Sequence, residues 1–289
     1  MRNLIQIILV FASLIYAMDE PNKLRKEIPI NDVEKVEVYI RFGAGNLFIN
    51  PTVKNVLFQG EFIYSDDEPY IRYDREGEEG RLRIEMRNKT EKENGDMNVT
   101  INSLSDIYKN EWLLNFNENT ELAFKIEMGA AEAEIDFGAM RIANLRFESG
   151  ASKTKVNFSQ PNPVNMDELE IDTGVSRFKA KNLLNANFDE MKFEGGIGDY
   201  QLHFGGTLKK TVNVNLDVAL GALTVYIPRE VAFRIDCDKT IFSSLDIEAA
   251  YKEDDEKCWY SMNFSQSKPF LNLWIEAGIG SISIEIVEQ

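Results

Sequence analysis

Apolar and polar residues alternate along most of this chain, and small residues interrupt the alternation at regular intervals. The five central interruptions begin 21, 24, 22 and 23 residues apart. A near-constant period of this length is typical of a stack of similar structural units. The phrase around each interruption occurs seven times, as FGAGNLFI (42–49), MGAAEAEI (128–135), SGASKTKV (149–156), TGVSRFKA (173–180), GGIGDYQL (195–202), VALGALTV (218–225) and AGIGSISI (277–284).

Each copy predicts two short β-strands joined by a bend. Apolar residues lie two apart before the corner, as at Leu145 and Phe147, and again after it, as at Val156 and Phe158. This period of two places one face of each strand in a shared interior. The sequence therefore predicts an all-β, single-coil β-solenoid with repeats of about 22 residues. A β-sandwich is the alternative, but it would give variable strand spacing and no equivalent corner residues.

A glycine occupies the same corner position in six of the seven copies, and Ala219 takes its place in the seventh. Glycine at this position indicates either a positive φ angle or the close approach of a neighbouring backbone. A phosphate-binding loop is disfavoured because the GGIG segment (195–198) is not followed by a helix beginning Lys-Ser or Lys-Thr. We therefore expect a structural role for the corner glycines, which are Gly43, Gly129, Gly150, Gly174, Gly196 and Gly278.

The first 17 residues predict a signal peptide. Arg2 is followed by an apolar stretch over residues 4–16 and by the small residue Ala17, which is a plausible cleavage site. The stretch is short for a membrane span. We therefore expect an exported protein, in the periplasm, on the cell surface or outside the cell, with no stable membrane span after cleavage. An uncleaved segment would instead tether the chain.

The mature chain divides into an irregular part of the solenoid over residues 18–104 and a regular repeat part over 105–289, which we expect to stack continuously. Weaker copies extend the array: residues 80–84 resemble the second half of the phrase, Trp112 begins another alternating strand, and residues 241–247 lack the glycine. Residues 282–287 are expected to leave an open last rung.

Composition narrows the possible partners. Hydrophobic residues make up 44% of the chain, which suffices for a packed interior, and the net charge is −16. Nucleic acid and anionic lipid surfaces are disfavoured because both need clustered Lys and Arg. The two cysteines, Cys237 and Cys258, lie one repeat apart. They form either a disulfide, which an oxidising compartment permits, or two separate thiols.

The sequence resembles the toastrack family of bacterial exported proteins, which is related to the C-terminal domain of LiaF-like cell-wall-active antibiotic response proteins and to adhesin head domains. The stretches that carry the resemblance are residues 36–85 (VEVYIRFGAGNLFINP and onward), 112–158 (WLLNFNENTELAFKIEMGAAEAEID and onward) and 169–183 (LEIDTGVSRFKAKNL). The resemblance implies a β-solenoid and a bacterial envelope setting. It brings no catalytic site.

Little in the sequence indicates catalysis, a metal or a cofactor. His203 is the single histidine, so a histidine metal site or a serine-type triad lacks its parts. Outward carboxylates such as Glu132 and Glu134 resemble the paired acids of glycoside hydrolases, but Lys153 and Lys155 follow one repeat later, which favours cross-strand ion pairs. We predict no catalytic, cofactor or metal site.

The sequence therefore predicts a non-enzymatic, exported interaction or structural module of the bacterial cell envelope, with an envelope protein or a cell-wall glycan as partner. Three alternatives stay open: a tethered envelope-stress sensor, a polysaccharide-active enzyme and a calcium-dependent adhesin. Four aromatic residues near turns either contact a ligand or cap the core, and these are Tyr70, Tyr73, Trp259 and Tyr260.

Overall fold

The computed structural model describes residues 21–65, 68–86, 110–239, 241–248, 250–252 and 258–288. The predicted signal peptide lies outside these residues. Sixteen strands form one sheet. They are β1 (Asn22–Pro29), β2 (Lys35–Thr52), β3 (Val56–Tyr64), β4 (Tyr70–Glu76), β5 (Glu79–Glu85), β6 (Glu111–Asn117), β7 (Glu121–Asp136), β8 (Arg141–Asn157), β9 (Met166–Lys181), β10 (Phe188–His203), β11 (Val212–Pro228), β12 (Phe233–Lys239), β13 (Ser243–Ile247), β14 (Ala250–Lys252), β15 (Cys258–Ser261) and β16 (Leu271–Val287).

Seven long strands form the body of the stack. β2, β7, β8, β9, β10, β11 and β16 lie side by side in this order, and all their pairings are parallel. Each ladder pairs residues on both sides of the corner and omits the corner itself, as between Phe42 and Met128 and then between Ala44 and Ala130. We call the part of each long strand before the corner its first arm and the part after it its second arm.

The two arms face each other across the core. Phe147 on the first arm of β8 lies 5.9 Å from Phe178 on the second arm of β9, measured between ring centroids. Phe193 and Tyr200, on the two arms of β10, are 5.3 Å apart. The alternating apolar positions therefore meet inside each bent strand, and the predicted all-β solenoid is confirmed. The arms pack as two layers, but each long strand runs through both, unlike the separate sheets of a sandwich.

Close approach of stacked backbones accounts for the corner glycines. A Cβ atom on Gly129, Gly174, Gly196 or Gly278 would lie 2.3 to 2.6 Å from the carbonyl oxygen of the corner residue on the neighbouring strand. None of the six corner glycines has a positive φ angle. Of the two explanations that the sequence allows, the structure therefore favours backbone proximity.

The N-terminal end of the stack is a rung made of two separate strands. β5 pairs in parallel with the first arm of β2, and β6 pairs in parallel with its second arm. The expectation that residues 80–84 correspond to the second half of the phrase is therefore wrong, since they belong to a first arm. The alternating strand that begins at Trp112 is confirmed as β6. Antiparallel strands cover this rung, with β4 beside β5 and with β3 and then β1 beside β6.

At the other end, the chain order and the stacking order differ. β16 lies between β11 on one side and β12 and β13 on the other. The expectation that residues 282–287 leave an open last rung is therefore wrong, because both arms of β16 have neighbours on both sides. The weak copy at 241–247 supplies β13, in which Leu245 and Ile247 pair with the second arm of β16. β15 and then β14 continue antiparallel from β12.

The structure contains no disulfide between the two cysteines. Cys258 on β15 is opposite Asp236 on β12, so its side chain shares a face with Asp236, and its Sγ lies 3.5 Å from Oδ2 of that residue. Cys237 is the next residue along β12 and points to the other face, where it joins the buried core. The one-repeat spacing does bring the cysteines to adjacent strands, but on opposite sides of the sheet.

Candidate functional site

The outer face of the second arms carries a cluster of cationic residues in the middle of the stack. Lys153 on β8 is paired in register with Arg177 on β9, and Lys155 is paired with Lys179. Lys181 lies two residues further along β9 on the same face. These positions alternate with buried residues such as Val156 and Ala180, so the cationic side chains point outward. A chain of net charge −16 thus has a local concentration of cationic residues.

A cavity of about 320 Å³ opens beside these cations. We call it the lysine groove; its lining is Phe48, Asn50, Glu134, Ile135, Asp136, Lys155, Val156, Asn157, Lys179 and Lys181. A smaller cavity of about 70 Å³ adjoins it and shares Phe48, Glu134 and Lys155. The groove therefore combines an aromatic ring, two amides, three ammonium groups and the carboxylates Glu134 and Asp136. Glu134 is paired with Lys155 and Asp136 accepts a hydrogen bond from Ser159, so the remaining ammonium groups suit a ligand with both apolar and anionic parts.

The lysines differ in how far their charge is balanced. Lys153 is 3.2 Å from Glu132, and Lys155 is 2.5 Å from Glu134, so the predicted cross-strand ion pairs are present. Lys179 instead donates a hydrogen bond of 3.1 Å to the side-chain oxygen of Gln201. Within the part of the chain that the structure describes, Lys179 and Lys181 have no carboxylate within ion-pair distance. The positive charge is thus concentrated at one end of the lysine groove.

An aromatic pair adjoins that end. His203 follows Leu202 on β10, and Leu202 is paired with Ala180, which lies between Lys179 and Lys181 on β9. The ring of His203 stacks on the ring of Tyr226, with the centroids 4.0 Å apart and the planes inclined by 9°. Burial, together with the charges of Lys179 and Lys181, lowers the pKa of His203 to about 4. Its Nε2 is buried without a hydrogen-bond partner among the described residues. The outward position of His203 was expected, but its partial burial was not.

The outer face of the first arms carries the opposite charge. A carboxylate occupies the same register position on seven adjacent strands. On the six long strands from β7 to β16 this position lies two residues before the corner, and on β12 it is the residue paired with Glu276. Burial raises the pKa of Asp172, and its neighbours Glu194 and Glu148 raise it as well. Glu148, Asp172 and Glu194 were predicted from the sequence as outward carboxylates on neighbouring units, but the full row was not, although the shared distance from the corner was visible. The row consists of Glu127, Glu148, Asp172, Glu194, Asp217, Glu276 and Asp238.

Cations in the neighbouring register positions balance part of this row. Arg146 is 2.5 Å from Glu148 and 2.9 Å from Glu170, and Lys192 is 2.5 Å from Glu194. Among the described residues there is no group of three or more histidine, cysteine or acidic side chains that could hold a metal ion. The row is therefore an extended anionic surface rather than a compact cation site.

The corner itself presents an apolar ridge between the two outer faces. Val175, Ile197, Leu220 and Ile279 are aligned on four adjacent strands, and each is between 42% and 58% exposed. The same position holds alanine on the earlier strands β2, β7 and β8. The ridge adds apolar contact surface to the C-terminal half of the stack.

Three of the four aromatics predicted near turns contact the core. Tyr73 and Trp259 are partly buried against it, and Tyr260 is buried. Trp274, which the sequence analysis passed over, is instead exposed on the outer face of a first arm. The alternation alone could have predicted this exposure, because Trp274 lies between Leu273 and Ile275, which both point inward. No helix among the described residues is long and apolar enough to cross a membrane.

These features define a bent-strand β-solenoid with a cluster of cationic residues on one outer face and a row of carboxylates on the other. The family model for the N-terminal domain of toast_rack, DUF2154, matches residues 18–180, which is more than half of the chain. The chain belongs to the toast_rack family, and the resemblance seen in the sequence is confirmed.

The solved structures similar to this chain include two bacterial proteins. The first, titled "putative cell adhesion protein" from Clostridium sporogenes, is 23% identical with a TM-score of 0.48, and the match covers 93% of this chain and 100% of that one. The second, titled "putative adhesin" from Bacteroides fragilis, is 9% identical with a TM-score of 0.32, and the match covers 91% of this chain and 97% of that one. Among curated proteins, none matches the sequence.

Proposed function

We propose that this chain is a non-enzymatic, exported binding module of the bacterial cell envelope, and that its lysine groove holds an anionic envelope polymer. The observation that carries this proposal is the pair Lys179 and Lys181, two ammonium groups that lack carboxylate partners among the described residues and lie at a cavity. Phosphate and carboxylate groups are the natural partners of such ammonium groups.

The other lining groups favour a polymer of sugar or polyol units over a small anion. Asn50 and Asn157 offer both donors and acceptors for hydroxyl groups, and the ring of Phe48 offers an apolar surface. The His203–Tyr226 stack extends the same face across two further strands. At about 4.8 Å per strand, the face from β2 to β11 spans roughly 24 Å, which is long for one small molecule.

Two observations support a role without catalysis. The carboxylates beside the lysine groove include Glu132 and Glu134, and both are held in ion pairs with lysines of the neighbouring strand. His203 is the single histidine of the chain and lies beside lysines, with no hydrogen-bond partner for its Nε2 among the described residues. Neither arrangement resembles the acid and base pair of a hydrolase.

Binding to defined polymers tests the groove. The purified protein is titrated with polygalacturonate and with polyglycerol phosphate, with neutral dextran as the reference, and the dissociation constant is measured by calorimetry. We expect binding to both anionic polymers that weakens as salt is raised, because ionic contacts are screened. Binding to dextran with equal affinity, or stronger binding to single-stranded DNA or to anionic vesicles, would contradict the proposal.

A matched pair of variants separates the groove from general charge effects. Lys179→Gln combined with Lys181→Gln removes two charges at the groove, and Lys23→Gln combined with Lys26→Gln removes two exposed charges on β1. We expect the first variant to bind at least about tenfold more weakly, which corresponds to about 1.4 kcal/mol, and the second to bind as the wild type does. An equal loss in both variants would point to long-range attraction and against a groove.

The proposed location rests on the sequence and has its own test. The N-terminus of the protein isolated from its own cells is determined by mass spectrometry. We expect it to begin at Met18, as cleavage after Ala17 predicts. A retained Met1 together with recovery in the membrane fraction would support the tethered alternative, whatever the groove binds.

A further inference from the structure

Trp274 is an exposed tryptophan on an otherwise polar surface. It points outward from the first arm of β16 and is 37% exposed. Among the described residues its indole ring makes neither a ring contact nor a hydrogen bond. Trp112, by contrast, is fully buried, and Trp259 packs against the core. Trp274 therefore leaves its apolar surface and its N–H group available to a ligand.

Every outward neighbour of Trp274 is polar. Asn215 on β11 and Asp236 on β12 are directly opposite it in the ladders. Asn272 and Glu276 lie two residues before and after it on the same face of β16. No second apolar side chain stands at these positions to help cover the indole, so intramolecular packing does not account for a tryptophan here.

The amides beside Trp274 are held in place by hydrogen bonds. Arg234 donates to the side-chain oxygen of Asn272 at 3.1 Å, and the amide nitrogen of Asn272 donates to Asn213 at 3.1 Å. The amide nitrogen of Asn215 lies 3.4 Å from a carboxylate oxygen of Glu190. This network fixes the orientation of three amides on adjacent strands, which reduces the entropy lost when they bind hydroxyl groups.

Charge selects against acidic ligands at this surface. Asp217 and Glu276 form no ion pair within the described residues, whereas Asp236 lies 3.6 Å from Arg234. The surrounding field is therefore negative, unlike that of the lysine groove on the other outer face. Carboxylate and phosphate groups are repelled here, while neutral hydroxyl groups and protonated amines are not.

We propose that Trp274 with Asn213, Asn215 and Asn272, here called the Trp274 platform, is a second binding site that takes pyranose rings of a neutral or amine-bearing glycan. The apolar face of a pyranose stacks on the indole, and its hydroxyl groups bond with the oriented amides. A pyranose presents the same two kinds of surface, carbon-bound hydrogens on one side and hydroxyl groups around its edge. This site is separate from the lysine groove and does not depend on the proposed function.

Titration with two kinds of oligosaccharide tests the Trp274 platform and distinguishes a neutral glycan from an amine-bearing one. The protein is titrated with N-acetylglucosamine oligomers and with glucosamine oligomers, and binding is followed by calorimetry and by the change in tryptophan fluorescence, which Trp274→Phe should abolish if Trp274 is the reporter. We expect saturable binding of at least one oligomer. Preference for the glucosamine form would identify an amine-bearing glycan, and preference for the N-acetylated form would identify a neutral one. Absence of saturable binding of both would overturn the proposal.

Variants locate the binding. We expect Trp274→Ala to weaken binding at least about tenfold and Trp274→Phe to retain part of it, because a phenyl ring still stacks on a pyranose. Phe242→Ala, which removes another exposed aromatic ring, is the matched control and should bind normally. Trp274→Ala with unchanged melting temperature and unchanged affinity would overturn the proposal. The Lys179→Gln and Lys181→Gln variant should bind these oligomers normally, so the two sites can fail independently.

Discussion

The carbonyl oxygen of Gly150 lies 2.6 Å from the position that a Cβ atom on Gly174 would occupy. The two residues are the corners of adjacent long strands, and the ladders on either side of them remain in register. A side chain at Gly174 would therefore push apart two strands that are fixed both before and after the corner. The corners cannot easily move apart, because each one is also close to the corner of the next strand in the stack.

Gly174→Ala should lower the free energy of unfolding by about 1 to 3 kcal/mol, the usual range for a substitution that introduces strain. Gly150→Ala should cost less, because its Cβ would lie 3.1 Å from the carbonyl oxygen of Gly129. Urea denaturation of both variants measures the difference. Ala219→Gly is the control, since the corner column already accepts a methyl group there. Equal costs at Gly150 and Gly174 would contradict the argument from distance.

Phe178→Ala should destabilise the protein by about 3 to 5 kcal/mol, because it removes a large side chain from the core and leaves a cavity. Phe178 is fully buried, and its ring contacts Phe147 and Phe193 at centroid distances of 5.9 and 5.6 Å. The exposed Val175 on the same strand provides the comparison. Val175→Ala should change the unfolding midpoint little, and a similar loss in both variants would mean that the two arms do not pack through Phe178.

His203 should make the protein less stable in mild acid. Its pKa is about 4 in the folded protein against 6.5 in a free side chain, so the unfolded chain takes up the proton first. The free energy of unfolding is therefore unaffected by His203 above pH 6.5, and it decreases as the pH falls from 6.5 towards 4. Melting temperatures across that interval measure it. His203→Gln should reduce the dependence within this window, and an unchanged profile would contradict a neutral, partly buried His203.

Reducing agent should leave the melting temperature unchanged, since Cys237 and Cys258 lie on opposite faces of the sheet. Mass spectrometry of the protein unfolded under non-reducing conditions with a thiol-alkylating reagent should find both residues alkylated. A mass two hydrogens lower, with neither residue alkylated, would show a disulfide and would require β12 and β15 to pair in another register.

The bent strands could be predicted from the sequence because each copy repeats both the alternation and the corner. The position of each corner was equally accessible, since glycine recurs at the same place in six of the seven copies. The reason for the glycine was not, because a positive φ angle and a close backbone approach leave the same sequence pattern. Because the copies are so similar to one another, the sequence does not show the order in which their strands stack. The copy at 277–284 fits beside β11 whether or not β12 and β13 lie between them in the chain, because all copies have matching faces.

The parts of the site that were missed depend on register and on the stacking order of the strands. The disulfide hypothesis used the correct spacing, but a one-residue offset between antiparallel strands decides the face, and Cys258 falls opposite Asp236 instead of Cys237. Lys179 and Lys181 were visible as outward residues. Their place at the end of a cavity depends on the stacking order, which puts Phe48 two strands beyond β8 in register with Lys155.

The position of β16 also bears on the order in which the chain can fold. A chain emerges N-terminus first, whether from the ribosome or across a membrane, so β12 to β15 appear before the strand that joins them to the rest of the stack. Until β16 emerges, the nascent chain has an unpaired edge at β11 and a detached C-terminal segment, both open to chaperones and proteases. Arrival of β16 closes both edges at once and makes completion of this end a late, single event.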